Sequence, residues 1–377
     1  MSECSGNLLD KENEIHLFLG DVSAKGGIER VTISLANALS SLYRVKIISL
    51  YKENLDVSFN INREVELIIL SDGLEKSMYN RKMGLLKGAF FDVYYIIKKS
   101  RKLRNIINPE TAVAISCDVK MTALIKKSGY EKIIAIEHFE YDVINSLLKK
   151  ARIKLYKKIS AVVSLTLEDE IKYKWLPKDK HFVINNMVED PVIILPPDAR
   201  QNVVLAVGRL THQKGFDLLL RAWEKIDSSD WQLLIVGDGE ERINLLNFIK
   251  EKSLKNANII PFEKNIADYY NKAKVFVLSS RYEGLGMVLV EALSFGLACI
   301  SFDCPAGPKS ILNKNNGILV KANDVSALAI ELEKLISNPD KIEQLNKIAP
   351  ESIDDFRANT VLKQWKHLID WVINEEI

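Results

Sequence analysis

Two carboxylates stand eight positions apart in the stretch SSRYEGLGMVLVEALSFG: Glu283 and Glu291. The apolar, β-branched run Val275 to Leu278 before them reads as a buried strand. Ser279 to Gly286 reads as a loop carrying Glu283, and Met287 to Phe295 as a helix carrying Glu291. Leu297 to Phe302 reads as the next buried strand. A helix N-terminus offers free N–H groups and partial positive charge to an anion. The two carboxylates would then flank one anionic ligand. Scattered surface carboxylates are usually only solvated, but a helix between two buried strands has little wet face for Glu291. Two cations have a similar setting. Arg209 and Lys214 lie in Gly208-Arg209-Leu210-Thr211-His212-Gln213-Lys214-Gly215, between the strand Val203–Val207 and a helix read as 216–225. An arginine fork and a lysine point charge at a helix mouth can bind an anionic leaving group and stabilise charge growing on it. Both lie on a loop, so their removal is expected to spare folding.

Each of these residues sits at the carboxyl end of a strand, where open α/β sheets bind ligands. The N-terminal half repeats the arrangement. A strand over 14–20 leads into a loop ending in Gly26-Gly27, then a helix read as 28–42. Glycines there let backbone N–H groups approach an anion; the alternative is a tight turn without a ligand. His138 follows the strand read over 132–136, again at a strand end. Further strands are read at 43–51, 65–70, 112–116, 161–165 and 182–185, and in the second half at 232–236, 258–260 and 317–320. A helix is read from about 266. The Pro-rich segment 188–202 reads as a linker.

The string around Glu283 and Glu291 resembles the E-x7-E motif of retaining glycosyltransferase family 4, within the group 1 glycosyltransferases. YEG precedes it, EALSFG surrounds its second Glu, and DCPAGP follows the next strand. GRL-x2-QKG and KGGIER are also similar to elements of that family. The resemblance spans nearly the whole chain and is thin between 52 and 130. It implies a GT-B fold: two Rossmann-like parallel-sheet α/β domains facing across a cleft. Those domains would be 1–187 and 203–355, with 356–377 returning to the first, anchored by Trp365 and Trp371. It implies that Arg209 and Lys214 bind a nucleotide diphosphate, that Glu291 holds the ribose hydroxyls, that Glu283 contacts the sugar, and that His138 orients it. Gly26, Gly27, Gly215, Phe262, Gly286, Met287 and Val288 would line the donor, with the loop at Phe262 holding the base through its backbone. Two departures stand out: Gly286 replaces a frequent Pro, and Ser310 replaces an expected acidic residue.

The implied reaction is metal-independent sugar transfer with retention, from a nucleotide-sugar, expected to be a UDP-sugar, to a lipid-linked saccharide in surface polysaccharide assembly. No D-x-D triplet is present, so fixed cations and helix N-termini would stand in for a metal. No resident cofactor is expected. A UDP-sugar epimerase of the same fold and a non-catalytic nucleotide-sugar-binding module are the alternatives. An NAD oxidoreductase is disfavoured, because no dinucleotide fingerprint follows any strand.

Composition sets outer bounds. With 377 residues, 47% of them hydrophobic and 27% charged, the chain can hold two globular domains. Cys4, Cys117, Cys299 and Cys304 show no metal or disulfide spacing. No apolar stretch is long enough to span a bilayer and no leader is evident, so a cytoplasmic location is expected. The net charge of +2 gives no reason to expect nucleic acid. The charge distribution says more. Nine basic residues and one acid fall between Lys76 and Arg104, interleaved with Phe90, Phe91, Tyr94 and Tyr95, and six basic residues fall between Lys149 and Lys158. Basic, aromatic-bearing helices of this kind are expected to dock on an anionic membrane.

Overall fold

The computed structural model describes residues 13–71, 76–79, 83–138, 146–305 and 307–374. Cys4, Arg81 and Lys82 lie outside them. The chain divides into two compact units, Met1–Met187 with Ala358–Ile377, and Val188–Arg357.

The first unit holds seven strands: β1 (Glu14–Asp21), β2 (Arg44–Tyr51), β3 (Val65–Ile69), β4 (Ala112–Ser116), β5 (Ile133–Glu137), β6 (Ala161–Ser164) and β7 (His181–Val183). They form one parallel sheet in the order β3-β2-β1-β4-β5-β6-β7. The second unit holds β8 (Val203–Val207), β9 (Gln232–Val236), β10 (Ala257–Ile260), β11 (Val275–Leu278), β12 (Ala298–Asp303) and β13 (Gly317–Lys321). Its parallel sheet runs β10-β9-β8-β11-β12-β13. The central strands are buried runs of Val, Ile, Leu and Ala, as a sheet covered on both faces requires. Strand order reverses at β1/β4 in one sheet and at β8/β11 in the other, and such switch points open a crevice beyond the strand ends.

Several helix ends differ from the sequence reading. The first helix is Gly27–Leu39, three residues short of the expected end. The Ser40 and Ser41 hydroxyls donate back to the Asn37 and Ala38 carbonyls, a local competition that serines favour over helix continuation. Met287–Ser294 ends where Gly296 takes a left-handed φ of +72°. The helix after Gly215 is Phe216–Trp223.

Segment 188–202 packs as part of the second unit rather than as a free linker. Buried Arg200 donates to the carbonyls of Leu195, Phe295 and Gly296, and the Leu195 N–H donates to Asn271. The last helix, Ala358–Asn374, is counted with the first unit. It buries Val361, Trp365, Leu368, Ile369 and Val372, and Trp371 lies 5.5 Å from Phe182, ring to ring. Tyr43 donates to Asp370 at 3.0 Å, and Lys132 to the Ile373 carbonyl at 2.6 Å.

Candidate functional site at the second switch point

The loops that follow β8 and β11 meet beyond the strand ends of the second sheet. Gly215 makes the approach possible. Its φ is +62°, and a Cβ there would lie 2.1 Å from the Ser279 carbonyl oxygen. The Ser279 hydroxyl donates to the Lys214 carbonyl at 3.0 Å, and the Arg281 N–H donates to the Gln213 carbonyl at 2.8 Å. The Arg281 guanidinium forks onto both Asp217 carboxylate oxygens at 2.8 Å and also reaches the His212 carbonyl at 2.7 Å. Burial pushes the Asp217 carboxyl up, but the Arg281 hydrogen bonds outweigh it and hold the pKa below the ordinary value. These stitches fix two loops against each other with little freedom left.

Lys214 and Glu283 meet within this frame. Lys214 Nζ lies 2.5 Å from Glu283 Oε1, and the side chains are only 14% and 7% exposed. The Ser280 hydroxyl donates to the same Glu283 oxygen at 2.5 Å. The sequence reading assigns the lysine to a diphosphate and the glutamate to a sugar as separate contacts. The structure joins them as one partly buried pair. It also changes the result expected of removing the loop cations, because loss of Lys214 would strand a largely buried carboxylate. Arg209 is different: its side chain is exposed on the same loop.

Gly286 has a φ of +86° and caps the helix Met287–Ser294, which places Met287 and Val288 in the first turn. This left-handed position is the one where a frequent Pro was expected, and a proline ring cannot adopt it. Glu291 sits one turn further on and is 6% exposed. Tyr270 donates to its Oε2 at 3.0 Å and stacks on Phe295. The Phe262 N–H is taken by Asp238 Oδ2 at 2.9 Å, which fixes the loop after β10. Among the described residues no group of three or more His, Cys, Asp or Glu could hold a metal ion.

Gly26, Gly27 and His138 belong to the first unit. Gly26 caps the helix Gly27–Leu39 with φ −95°, and neither glycine is left-handed. A Cβ would meet nothing within 4 Å at Gly27, whereas at Gly26 it would lie 2.1 Å from a Glu29 carboxylate oxygen, so only at Gly26 would an added side chain force a neighbour to move. His138 follows β5, and its Nε2 is buried without a hydrogen-bond partner among the described residues. It lines a small cavity with Thr32, Ile136, Met187 and Trp365. Burial pushes its imidazole down to about 4, so the ring is neutral at pH 7. Its neighbour Glu137 is raised by burial, although buried Arg152 at 3.0 Å and the Tyr156 hydroxyl work against that rise.

The depressed His138 pKa has a stability consequence with a definite sign. An unfolded histidine protonates near 6.5, so the unfolded state gains protons first as pH falls from about 6.5 toward 4. The wild type should lose stability over that window by up to about 1.4 kcal/mol per pH unit from this group. Denaturant titrations of wild type and His138→Gln at several pH values check it. Equal pH dependence in the two would contradict a buried neutral His138.

Residues 193–352 match the sequence profile of the family described as Glycosyl transferases group 1. That segment is a group 1 glycosyltransferase domain, and curated relatives that align along nearly the whole chain carry glycosyltransferase names. The amylovoran biosynthesis glycosyltransferase AmsD of Erwinia amylovora is 28% identical, over 94% of this chain and 99% of its own. An α-1,4-N-acetyl-D-galactosaminyltransferase of Campylobacter jejuni, named for a diNAcBac-PP-undecaprenol-linked saccharide, is 26% identical over 93% and 96%. Sucrose-phosphate synthase of Thermosynechococcus elongatus superposes with a TM-score of 0.78 at 18% identity, covering 96% of this chain and 99% of that one. The two parallel-sheet units are those of the GT-B fold.

The residues missed by sequence reasoning at this site are Ser279, Ser280, Arg281, Asp217 and Tyr270. Four of them lie inside or beside the motifs, but their pairing across the gap between two distant loops leaves no periodic signal.

Proposed function

We propose that this protein is a retaining, metal-independent family 4 enzyme that moves a sugar from a UDP-sugar to a lipid-linked saccharide. The observation that carries the proposal is the meeting of Lys214 and Glu283 at the switch point, with Arg209 on the same loop and Glu291 on the helix that follows. As the glycosidic bond breaks, negative charge grows on the departing diphosphate. Arg209, Lys214 and the N–H groups at the start of the helix Met287–Ser294 stabilise that charge. Glu291 holds the ribose, Glu283 the sugar, and the departing phosphate takes the acceptor's proton in a front-face attack. The neutral ring of His138 would act on any ligand by hydrogen bonding, not by charge.

The acceptor reading rests on relatives named for polysaccharide assembly and for an undecaprenol-linked saccharide. Membrane docking rests on the helix Leu85–Ile106. Only part of its basic, aromatic composition faces out. Tyr95 is in the core and Phe91 packs against it, Lys99 is 2% exposed over the Tyr95 ring, and Lys102 donates to the Leu70 carbonyl. In the 149–158 cluster, Arg152 is likewise buried against Glu137. The remaining outer stripe carries Lys87, Phe90, Val93, Tyr94 and Arg101, with Phe90 79% and Tyr94 62% exposed. Such a stripe suits shallow insertion at an anionic interface, placing the enzyme peripherally at the inner face of the cytoplasmic membrane. Among the described residues no helix is long and apolar enough to cross a membrane.

Liposome flotation tests the docking. The protein should float with anionic vesicles at low salt, release at high salt and ignore neutral vesicles. Replacing Phe90 and Tyr94 by Ser and Lys87 and Arg101 by Gln should abolish flotation and leave UDP affinity intact. A wild type that never floats with anionic vesicles would make a soluble acceptor the better reading.

A further inference from the structure

We infer that Ser280 is a positioning residue for the donor sugar: it aims Glu283 and thereby divides that carboxylate's two oxygens between protein and substrate. The inference rests on the donor reading above. Glu283 receives two donors, the Ser280 hydroxyl and the Lys214 ammonium, and both converge on Oε1 at 2.5 Å. No hydrogen bond to Oε2 is made among the described residues. Rotating the carboxylate would give up both contacts together, so the pair of donors selects one rotamer and one outward oxygen.

The construction around the pair supports the assignment. Ser279 and Ser280 are each 1% exposed, and consecutive hydroxyls serve the two ends of one ion pair. Ser279 holds the Lys214 backbone carbonyl, and Ser280 holds the Glu283 carboxylate. Backbone anchoring is also present, since the Glu283 N–H faces the Pro305 carbonyl at 3.4 Å. The loop is thus fixed at its main chain without Ser280. What Ser280 adds is side-chain direction. Losing it leaves Lys214 as the single donor on Glu283. A lone ammonium is a point charge that follows a rotating carboxylate instead of fixing it.

A loop-stabilising serine and a sugar-positioning serine give different results. Isothermal titration of UDP, UDP-glucose, UDP-galactose, UDP-GlcNAc and UDP-GalNAc separates them, with thermal unfolding alongside. In wild type one UDP-sugar should be favoured over the others. In Ser280→Ala and Ser280→Cys, UDP affinity should change less than about twofold. The preference among sugars should narrow by about tenfold, because only the sugar contact loses its aim. Ser280→Thr, which keeps a hydroxyl, should restore the preference. Equal loss of UDP and UDP-sugar affinity, or an unchanged preference in both variants, overturns the inference while leaving the donor reading in place. Failure of both variants to fold makes Ser280 a packing residue and overturns it too. A wild type that binds none of the five ligands overturns the donor reading and this inference together.

Discussion

Arg209→Ala and Lys214→Ala should each lower kcat by about 10²–10³-fold, the usual consequence of removing one preorganised donor from a charge-developing site. The structure separates the two variants in a second observable. Arg209 is exposed, so its loss should leave thermal stability unchanged. Lys214 is paired with Glu283 where both side chains are largely buried. Breaking one side of such a pair costs up to about 3–5 kcal/mol, because the remaining charge is uncompensated. Ser280 stays on the carboxylate and reduces that loss. Lys214→Ala should therefore lose both turnover and melting temperature, and the double variant Lys214→Ala/Glu283→Ala should recover the melting temperature alone. Normal turnover in both single variants would remove these cations from the mechanism.

Glu291→Ala should weaken UDP by about 1.5–3 kcal/mol, the value of a hydrogen bond to a charged acceptor, seen as a ten- to hundredfold rise in Kd. Glu283→Ala should hold UDP at least as tightly as wild type, since it releases Lys214 from its carboxylate, while transfer falls. Tyr270→Phe is the control for Glu291. Tyr270 donates to Oε2 and also lies 3.4 Å from the Val288 carbonyl, so Tyr270→Phe removes a contact that aims Glu291 while keeping the carboxylate itself. Calorimetric titration of UDP reads all three. Equal loss of UDP affinity in Glu283→Ala and Glu291→Ala would contradict the division of roles.

What the sequence disclosed follows the range over which each signal acts. Buried parallel strands show as short β-branched runs, so β8, β11 and β12 are legible within a residue or two. The loops that carry Arg209, Lys214 and Glu283 are legible because each follows such a run, and the helix that carries Glu291 because it lies between two of them. The helix Arg242–Glu251 is not, since Leu245 is its one fully buried residue and its apolar pattern is weak. Contacts between loops are equally silent. Nothing local to Arg281 announces Asp217, and nothing local to Lys214 announces Glu283. Charge counting misleads in one direction: Lys99 and Arg152 add to the basic clusters, yet both are buried. Lysine and arginine carry apolar stems that pack well, so a basic run gives no facing until its helix is placed.

The central claim is that this protein breaks the bond between a sugar and a nucleoside diphosphate and passes the sugar on. Incubation with UDP-sugars, an undecaprenyl-diphosphate-linked saccharide and excess EDTA tests it most directly, with release of UDP and the sugar's anomeric configuration in the product as readouts. The account predicts stoichiometric UDP release, sugar appearing on the lipid with retained configuration, and no effect of EDTA. An epimerised UDP-sugar, binding without turnover, or activity lost to EDTA and restored by Mg²⁺ or Mn²⁺ would contradict it.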